Sequence, residues 1–140
     1  MYPFIQKFHS GWAYLALLIL LIAVVNALLG KFSKRSFSAT DRKISLFALI
    51  AIHIQLLVGL VLYFVSHKGL QSFGEMKNAA LRLTWLEHPL INIIAIALIT
   101  IGWSRHKKTE DNNNKFSSIG VFYGLGLILI LLRIPWQMWF

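Results

Sequence analysis

The chain contains no cysteine among its 140 residues. This absence excludes disulfides, thiolate zinc sites, iron–sulfur clusters and covalent c-type haem attachment. Acidic residues are also scarce, with 5 Asp and Glu against 14 Lys and Arg, and the 5 fall outside the most apolar stretches. With no phosphate-binding loop, carboxylate pair or Ser-His-Asp arrangement, the sequence gives no support to a hydrolase, a kinase or a proton-coupled transporter.

What the chain has in abundance is apolar sequence. Hydrophobic residues make up 57% of it, and the mean hydropathy of +0.65 is too high for a soluble domain of this size. Four stretches approach the ~20 apolar residues that cross a bilayer. We therefore predict an all-α integral membrane protein, a single four-transmembrane-helix bundle over residues 1–140. Its predicted spans are about 9–29, 44–65, 86–103 and 116–134.

The distribution of Lys and Arg predicts the orientation of the bundle. The segments 31–43 and 104–115 carry five and four cations, nine of the 14 in the chain. The positive-inside rule places these segments in the cytoplasm and both termini outside, in a multi-pass protein of the bacterial inner (cytoplasmic) membrane. We expect the cations to contact anionic lipid headgroups, and we do not expect nucleic acid as a partner. The first stretch is too long for a cleaved signal peptide, so we expect it to remain in the mature protein.

Histidines at the ends of the apolar stretches are the main functional signal. His9 opens the first stretch and His88 opens the third. Ionisable side chains near a bilayer core are usually functional, and imidazole is a usual axial ligand of haem iron. The two spans run parallel, so they can lie diagonally in a four-helix bundle. We predict one haem b near the outer end, with its iron held by His9 and His88.

Helical spacing places each of these histidines at the head of a stripe rich in small residues, which admits either a neighbouring helix or a flat macrocycle. Helix packing alone is the alternative interpretation of both stripes. The first stripe continues through Ala13, Ala16, Leu20, Ala23 and Ala27, and the second through Asn92, Ala95, Ile99, Gly102 and His106.

Other residues were assigned supporting roles on chemical grounds. Arg133, near the outer end of the fourth span, and Arg82 could bind the haem propionates, because arginine binds carboxylates through a bidentate fork. Snorkelling to lipid phosphates is the alternative for Arg133. Gly59 is predicted to allow close approach of the haem. Glu87 is interpreted as a carboxylate favoured by the helix N-terminus.

The remaining histidines allow a second haem site as an alternative. His53 and His67 are 14 residues apart on one helix face, and a second haem held by His53 and His106 is an alternative to a single site. The other interpretation takes His67 as an interfacial histidine and His106 as a loop histidine in a solvated basic run. His53 cannot share a face with Gln55, because two residues rotate a helix by about 200°.

Two sequence stretches resemble part of one four-helix half of haem A synthase. They read HIQLLVGLVLYF and LEHPLINIIAIAL, with a loop between them. In that family a span with glutamine and glycine, here Gln55 and Gly59, precedes a span headed by a haem-ligating histidine, here His88. The preceding span of that half opens with a histidine that matches His9. The whole chain also resembles small four-helix cytochrome b-like membrane proteins of Bacteroidetes type.

The resemblance implies a haem-binding four-helix bundle but not synthase activity. Haem A synthase has eight spans, and it usually carries a glutamate one turn before its first histidine, where this chain reads FIQKFHS. Bis-histidine ligation leaves no open iron position, which favours electron transfer. We therefore predict a haem b-binding cytochrome that is an electron carrier rather than a stand-alone catalyst.

Two further functions and several partners stay open. The functions are a haem-handling or assembly factor and a cofactor-free accessory subunit of a respiratory membrane complex. A quinone, a larger respiratory complex and a second copy of the chain are the open partners beyond the lipid bilayer. The second copy is suggested by the Gly120-Val-Phe-Tyr-Gly124 motif, which suits close helix contact.

Overall fold

The computed structural model describes residues 2–65, 77–78 and 83–134. The chain forms four α-helices in this part, and a π-helical turn, Leu83–Glu87, leads into the third. All four helices are long and apolar enough to span a membrane, and the described residues include no strand. The all-helical architecture agrees with the prediction from the sequence. The helices are α1 (Tyr2–Phe32), α2 (Ala39–Val65), α3 (His88–Lys107) and α4 (Asn112–Leu132).

The helices extend beyond the predicted spans at most of their ends. Helix α1 begins at Tyr2 rather than at residue 9. Pro3 lies in its first turn, where backbone N–H groups have no partner within the helix, so the missing N–H of proline costs no hydrogen bond. Helix α4 begins at Asn112 because the Asp111 side chain caps it, accepting a hydrogen bond from the Asn114 N–H at 2.9 Å. Hydropathy marks the apolar part of a helix, whereas the backbone hydrogen bonding continues into its polar turns.

The helices are arranged as a square. Helix α1 packs against α2 and α4, and α3 packs against α4 and α2. This leaves α1 and α3 on one diagonal, as the sequence predicted for the spans that begin with His9 and His88. The connections 33–38 and 108–111 lie together at one end of the bundle, which we call the loop end. The opposite end, which holds His9 and His88, is called the histidine end.

Both small-residue stripes face the core. Ala16, Leu20 and Ala23 on α1 are buried, as are the residues of the α3 stripe from Ala95 to His106. The glycines of α4 allow close helix packing: a Cβ atom at Gly126 would lie only 2.6 Å from Ile99 Cγ1. The GxxxG motif therefore has a role within the chain, since a Cβ at Gly120 would lie 3.1 Å from Leu28 Cδ2 on α1.

The outward faces of the bundle are apolar. Leu29, Leu57 and Ile128 are 62%, 64% and 56% exposed, on three different helices. Soluble monomers rarely expose continuous apolar surface of this kind, whereas lipid tails solvate it without cost. The exposed side chains therefore support membrane insertion, while the orientation and the choice of membrane stay predictions.

Candidate functional site

The bundle brings His9 and His88 together. Their ring centroids are 6.3 Å apart and their planes are inclined by 80°. His9 comes from α1, and His88 is the first residue of α3 on the opposite corner of the square. Two histidines that are 79 positions apart in the sequence thus meet at one end of the bundle, between diagonal helices.

His88 is held in a single orientation by two neighbours. Its Nδ1 lies 3.0 Å from the backbone carbonyl oxygen of Arg133, and its Nε2 lies 3.3 Å from Asn92 Nδ2. Because a carbonyl can only accept, Nδ1–H is the donor, and Nε2 carries the lone pair that accepts from the Asn92 amide. This tautomer is the one that metal-ligating histidines commonly adopt, with Nδ1 bonded to a carbonyl and Nε2 free to ligate.

His9 is held by α2. Gln55 Nε2 donates to the backbone carbonyl of His9 at 2.8 Å, and the ring of His9 lies against Gly59 one turn further on. A Cβ atom at Gly59 would be 3.2 Å from His9 Cε1. The sequence predicted that Gly59 makes room for haem. Among the described residues, the group that uses this room is the His9 imidazole itself.

Unpaired polar atoms are concentrated around the two histidines. Among the described residues, three buried side-chain atoms have no hydrogen-bond partner: His9 Nδ1, Gln55 Oε1 and Asn92 Oδ1. All three belong to residues that contact this pair or its backbone. An unsatisfied buried polar group costs about 1–3 kcal/mol, so native proteins seldom keep one without a reason. A cluster of three indicates groups that are satisfied by a ligand or by water.

Arg133 reaches the site in a way that the sequence did not predict. Its carbonyl positions His88, and its guanidinium Nε lies 3.6 Å from Glu87 Oε1. The expected propionate-binding cation therefore already faces a carboxylate, although the pair is half-exposed and contributes little by itself. Glu87, interpreted as a helix-terminal carboxylate, is also an ion-pair partner. Arg82, the other predicted propionate ligand, and His67 lie outside the described residues.

His53 and His106 are not brought together. His53 Nδ1 forms a bond of 2.8 Å to the Leu49 carbonyl within its own helix. Arg42 on α2 stacks on Trp103 of α3, which places these two residues at the same depth. His53 lies 11 residues from Arg42 towards the histidine end, and His106 lies three residues from Trp103 in the opposite direction. At 1.5 Å per residue the two histidines are about 20 Å apart along the bundle, too far to share an iron.

His106 is a core residue rather than a loop histidine. It is only 1% exposed, with its ring 4.4 Å from that of Trp103 and 5.4 Å from that of Phe37 between centroids. The Lys115 ammonium donates to its backbone carbonyl at 2.9 Å. The solvated-loop interpretation was therefore wrong. The stripe that starts at His88 was the better guide, because it includes His106 eighteen residues later.

Sequence inspection also missed a buried carboxylate at the loop end. Asp41 is 3% exposed, and its Oδ1 accepts from Asn26 Nδ2 at 2.9 Å and from Arg35 Nη2 at 2.6 Å. Its Oδ2 accepts from the Ser38 backbone N–H at 2.8 Å and from the Ser38 hydroxyl at 2.9 Å. The signal was present in the spacing Ser38-x-x-Asp41, which is that of a capping box at a helix start. The role of this network is structural.

Within the described ranges, no group of three or more His, Cys, Asp or Glu side chains could hold a metal ion. A site for a bare ion of the zinc type is therefore not seen there. A pair of imidazoles is a sufficient protein contribution only where a macrocycle supplies the other ligands, as haem does. The histidine pair is thus the one feature of the described bundle that suits the predicted cofactor.

No protein-family model matches the chain, and neither a curated protein nor a solved structure matches it. The resemblance to haem A synthase and to cytochrome b-like proteins stays a prediction. Function is therefore inferred from the histidine end itself.

Proposed function

We propose that the chain is a haem b-binding membrane cytochrome that carries single electrons, with His9 and His88 as the axial ligands of one iron. The observation that carries the proposal is the 6.3 Å separation of their ring centroids. Two imidazoles on opposite sides of one metal, each with a metal–nitrogen bond of about 2 Å, have centroids roughly 6 Å apart. The observed spacing agrees with that requirement.

The surroundings of the pair fit a macrocycle better than they fit simple packing. His88 presents the nitrogen that commonly ligates, because its Nδ1 is engaged by Arg133. Small residues follow on the same helix faces, Ala13 and Ala16 on α1 and Ala95 beyond Asn92 on α3. The three unpaired polar atoms add donors and acceptors that protein packing leaves unused.

The residues determine which chemistry the site would favour. Bound haem supplies a one-electron redox couple. His9 and His88 would both hold the iron, and ligation by two protein side chains favours electron transfer over oxygen activation. The apolar faces of the bundle support a membrane location for this pair, and there a quinone or a larger respiratory complex would exchange the electron.

Two alternatives use the same residues differently. A haem-handling or assembly factor would hold haem between the same histidines but release it. A cofactor-free accessory subunit is favoured by one contact, the 3.3 Å approach of Asn92 Nδ2 to His88 Nε2, since that nitrogen then already has a partner. The amount of haem per chain separates the three functions.

The test is a reduced-minus-oxidised visible spectrum of the detergent-purified protein, expressed with ample haem precursor, together with a count of extracted haem. We expect a sharp reduced α-band and close to one haem b per chain. His9→Ala and His88→Ala should each lose the bound haem, because one remaining imidazole holds haem weakly. His53→Ala is the matched control: it removes an intramembrane imidazole outside the pair and should keep the full spectrum.

The opposite results are equally clear. A colourless wild-type protein with native helical circular dichroism would overturn the proposal in favour of the accessory subunit. Full haem retention in both the His9 and the His88 variants would overturn the assignment of ligands. Sub-stoichiometric haem that exchanges into an acceptor protein would identify a haem-handling factor.

A further inference from the structure

A groove lies at the loop end, far from His9 and His88. It has a volume of about 560 Å³ and opens between the last turn of α3 and the first turns of α4. Arg105 and Lys108 provide its cations, and two serines of α4 provide hydroxyl groups. The complete lining is Arg105, Lys108, Thr109, Asn114, Ser117, Ser118, Val121 and Phe122.

The two cations of the groove differ from Arg35 and Lys115 in what they contact. At the same end Arg35 is paired with Asp41, and the Lys115 ammonium is bonded to a backbone carbonyl. Arg105 instead lies over the ring of Phe122, with 5.5 Å from Cζ to the centroid, and Lys108 is exposed. No carboxylate is among the groove's lining residues. The groove therefore presents positive charge without an anion from the described part of the protein.

Two acidic residues lie near the groove without lining it. Glu110 and Asp111 lie in the short connection beside the groove, but neither lines it. The carboxylate of Asp111 is engaged in capping α4, where it accepts from Asn114 N–H at 2.9 Å. The lining of the groove therefore offers cations and hydroxyl groups to an anion from outside the chain.

The lining changes from polar to apolar with depth. Ser117 and Ser118 lie near the start of α4, and Val121 and Phe122 lie one turn deeper, about 6 Å further into the bundle. Val121 is 48% exposed, and Leu125 and Ile128 continue its outward face with 46% and 56% exposure. A ligand that fits has a charged, hydrogen-bonding head and a hydrocarbon tail directed towards the middle of the helices.

We propose that this groove is a specific binding site for one anionic phospholipid. The phosphate would be bound by Arg105 and Lys108, the glycerol region by the hydroxyls of Ser117 and Ser118, and the start of an acyl chain by Val121 and Phe122. Basic pockets between transmembrane helices bind such headgroups on the cytoplasmic side of membranes, the side that the charge bias predicts for the loop end. Free phosphate would contact only the polar part of this lining and would leave Val121 and Phe122 unused.

The proposal does not depend on haem binding, and its test is separate. Delipidated protein in detergent is mixed with phosphatidylglycerol or with phosphatidylcholine, and bound lipid is counted by native mass spectrometry. We expect one phosphatidylglycerol per chain, bound at least about tenfold more tightly than phosphatidylcholine, since each cation near a headgroup contributes roughly a factor of five. Arg105→Gln/Lys108→Gln should abolish that preference.

A matched variant distinguishes a site from diffuse attraction. Lys34→Gln/Lys43→Gln removes the same charge from the same end of the bundle, at exposed positions outside the groove. It should keep the preference for phosphatidylglycerol. Equal losses in the two double variants would overturn the proposal, because they would mean that only net charge matters.

Two further measurements keep the test decisive. Lys108→Gln alone changes one exposed side chain after the end of α3, so it should fold and should weaken binding by several-fold even if the double variant does not fold. Inorganic phosphate should raise the melting temperature much less than phosphatidylglycerol. Equal stabilisation by both would overturn a lipid site and indicate one for free phosphate.

Discussion

The two ends of the bundle differ in whether their buried polar groups have hydrogen-bond partners. At the loop end both oxygens of Asp41 accept hydrogen bonds, from Asn26, Arg35 and Ser38. At the histidine end His9 Nδ1, Gln55 Oε1 and Asn92 Oδ1 have no partner among the described residues. A satisfied network stabilises a fold, whereas unsatisfied groups cost stability unless something binds them. The comparison separates a satisfied buried network at the loop end from unsatisfied buried groups at the histidine end, which suit a ligand.

The aromatic residues support the same division. At the loop end the rings of Trp103 and Phe37 pack on His106, and the ring of Phe116 packs on Phe37. Cations lie over two of these rings, with Arg35 over Phe116 at 5.1 Å and Arg42 over Trp103 at 5.4 Å. These contacts fix the connections between helices. At the histidine end Phe8 stacks on Trp12 within α1, and the ring contact between α1 and α3 is made by two imidazoles without a cation over either ring among the described contacts.

The largest effect should come from breaking the loop-end network. Asp41→Ala would leave the donors of Arg35, Asn26 and Ser38 without their acceptor, and we expect a loss of about 3 kcal/mol in the free energy of unfolding. Unfolding in mixed micelles with increasing denaturing detergent measures it. Asp111→Ala at the same end is the control, and it should cost only about 1 kcal/mol as a lost helix cap. Equal losses in the free energy of unfolding for the two variants would mean that the Asp41 network stabilises the fold no more than the helix cap does.

A pair of identical substitutions tests the two ends directly. Asn26→Leu removes a donor to Asp41 and an acceptor for Arg35, so we expect a loss of about 2 kcal/mol. Asn92→Leu removes one weak contact and one unpaired acceptor. We therefore expect the free energy of unfolding to change by no more than about 1 kcal/mol in either direction. The same unfolding assay compares them. A larger loss at Asn92 than at Asn26 would reverse the assignment of the two ends.

The smallest effect concerns the fit of His9 against α2. Gly124→Ala has room, because its Cβ would lie 3.7 Å from Val24 Cγ1, and it should gain up to about 1 kcal/mol from helix propensity. Gly59→Ala should keep less of that gain, because His9 must move by a few tenths of an ångström. It should also lower haem occupancy, which Gly124→Ala should not. Equal occupancy in both variants would show that the His9 contact does not position the ring.

Much of the fold was predictable because apolar helices have a strong periodic signal. The stripe from His9 through Ala16, Leu20 and Ala23 faces the core, as helical spacing requires. The diagonal relation of α1 and α3 followed from two parallel spans in a four-helix bundle. The meeting of His9 and His88 followed from their similar positions near the ends of those spans, and helix ends that were several residues in error did not disturb it.

What could not be predicted depends on contacts between distant residues. No role was predicted for Asp41 in the basic segment 31–43, yet its carboxylate is buried and accepts hydrogen bonds from Asn26 on α1 and from Arg35. Arg133 was expected to bind through its side chain, whereas its carbonyl contacts His88 45 positions earlier. Backbone carbonyls carry no residue-specific signal, so no sequence pattern could have indicated this partner.

The dependence of His88 on that carbonyl has a consequence for biosynthesis. Chains are made from the N-terminus, so His9 is synthesised first, and His88 emerges after α1 and α2 but before α4. The acceptor that orients the His88 ring belongs to Arg133, immediately after α4. The orientation of the His88 ring is therefore completed only after α4, the fourth helix of the bundle, has been made. A molecule that needs both would be captured only by the finished bundle, and a ribosome paused before α4 would expose a nascent chain that cannot retain it.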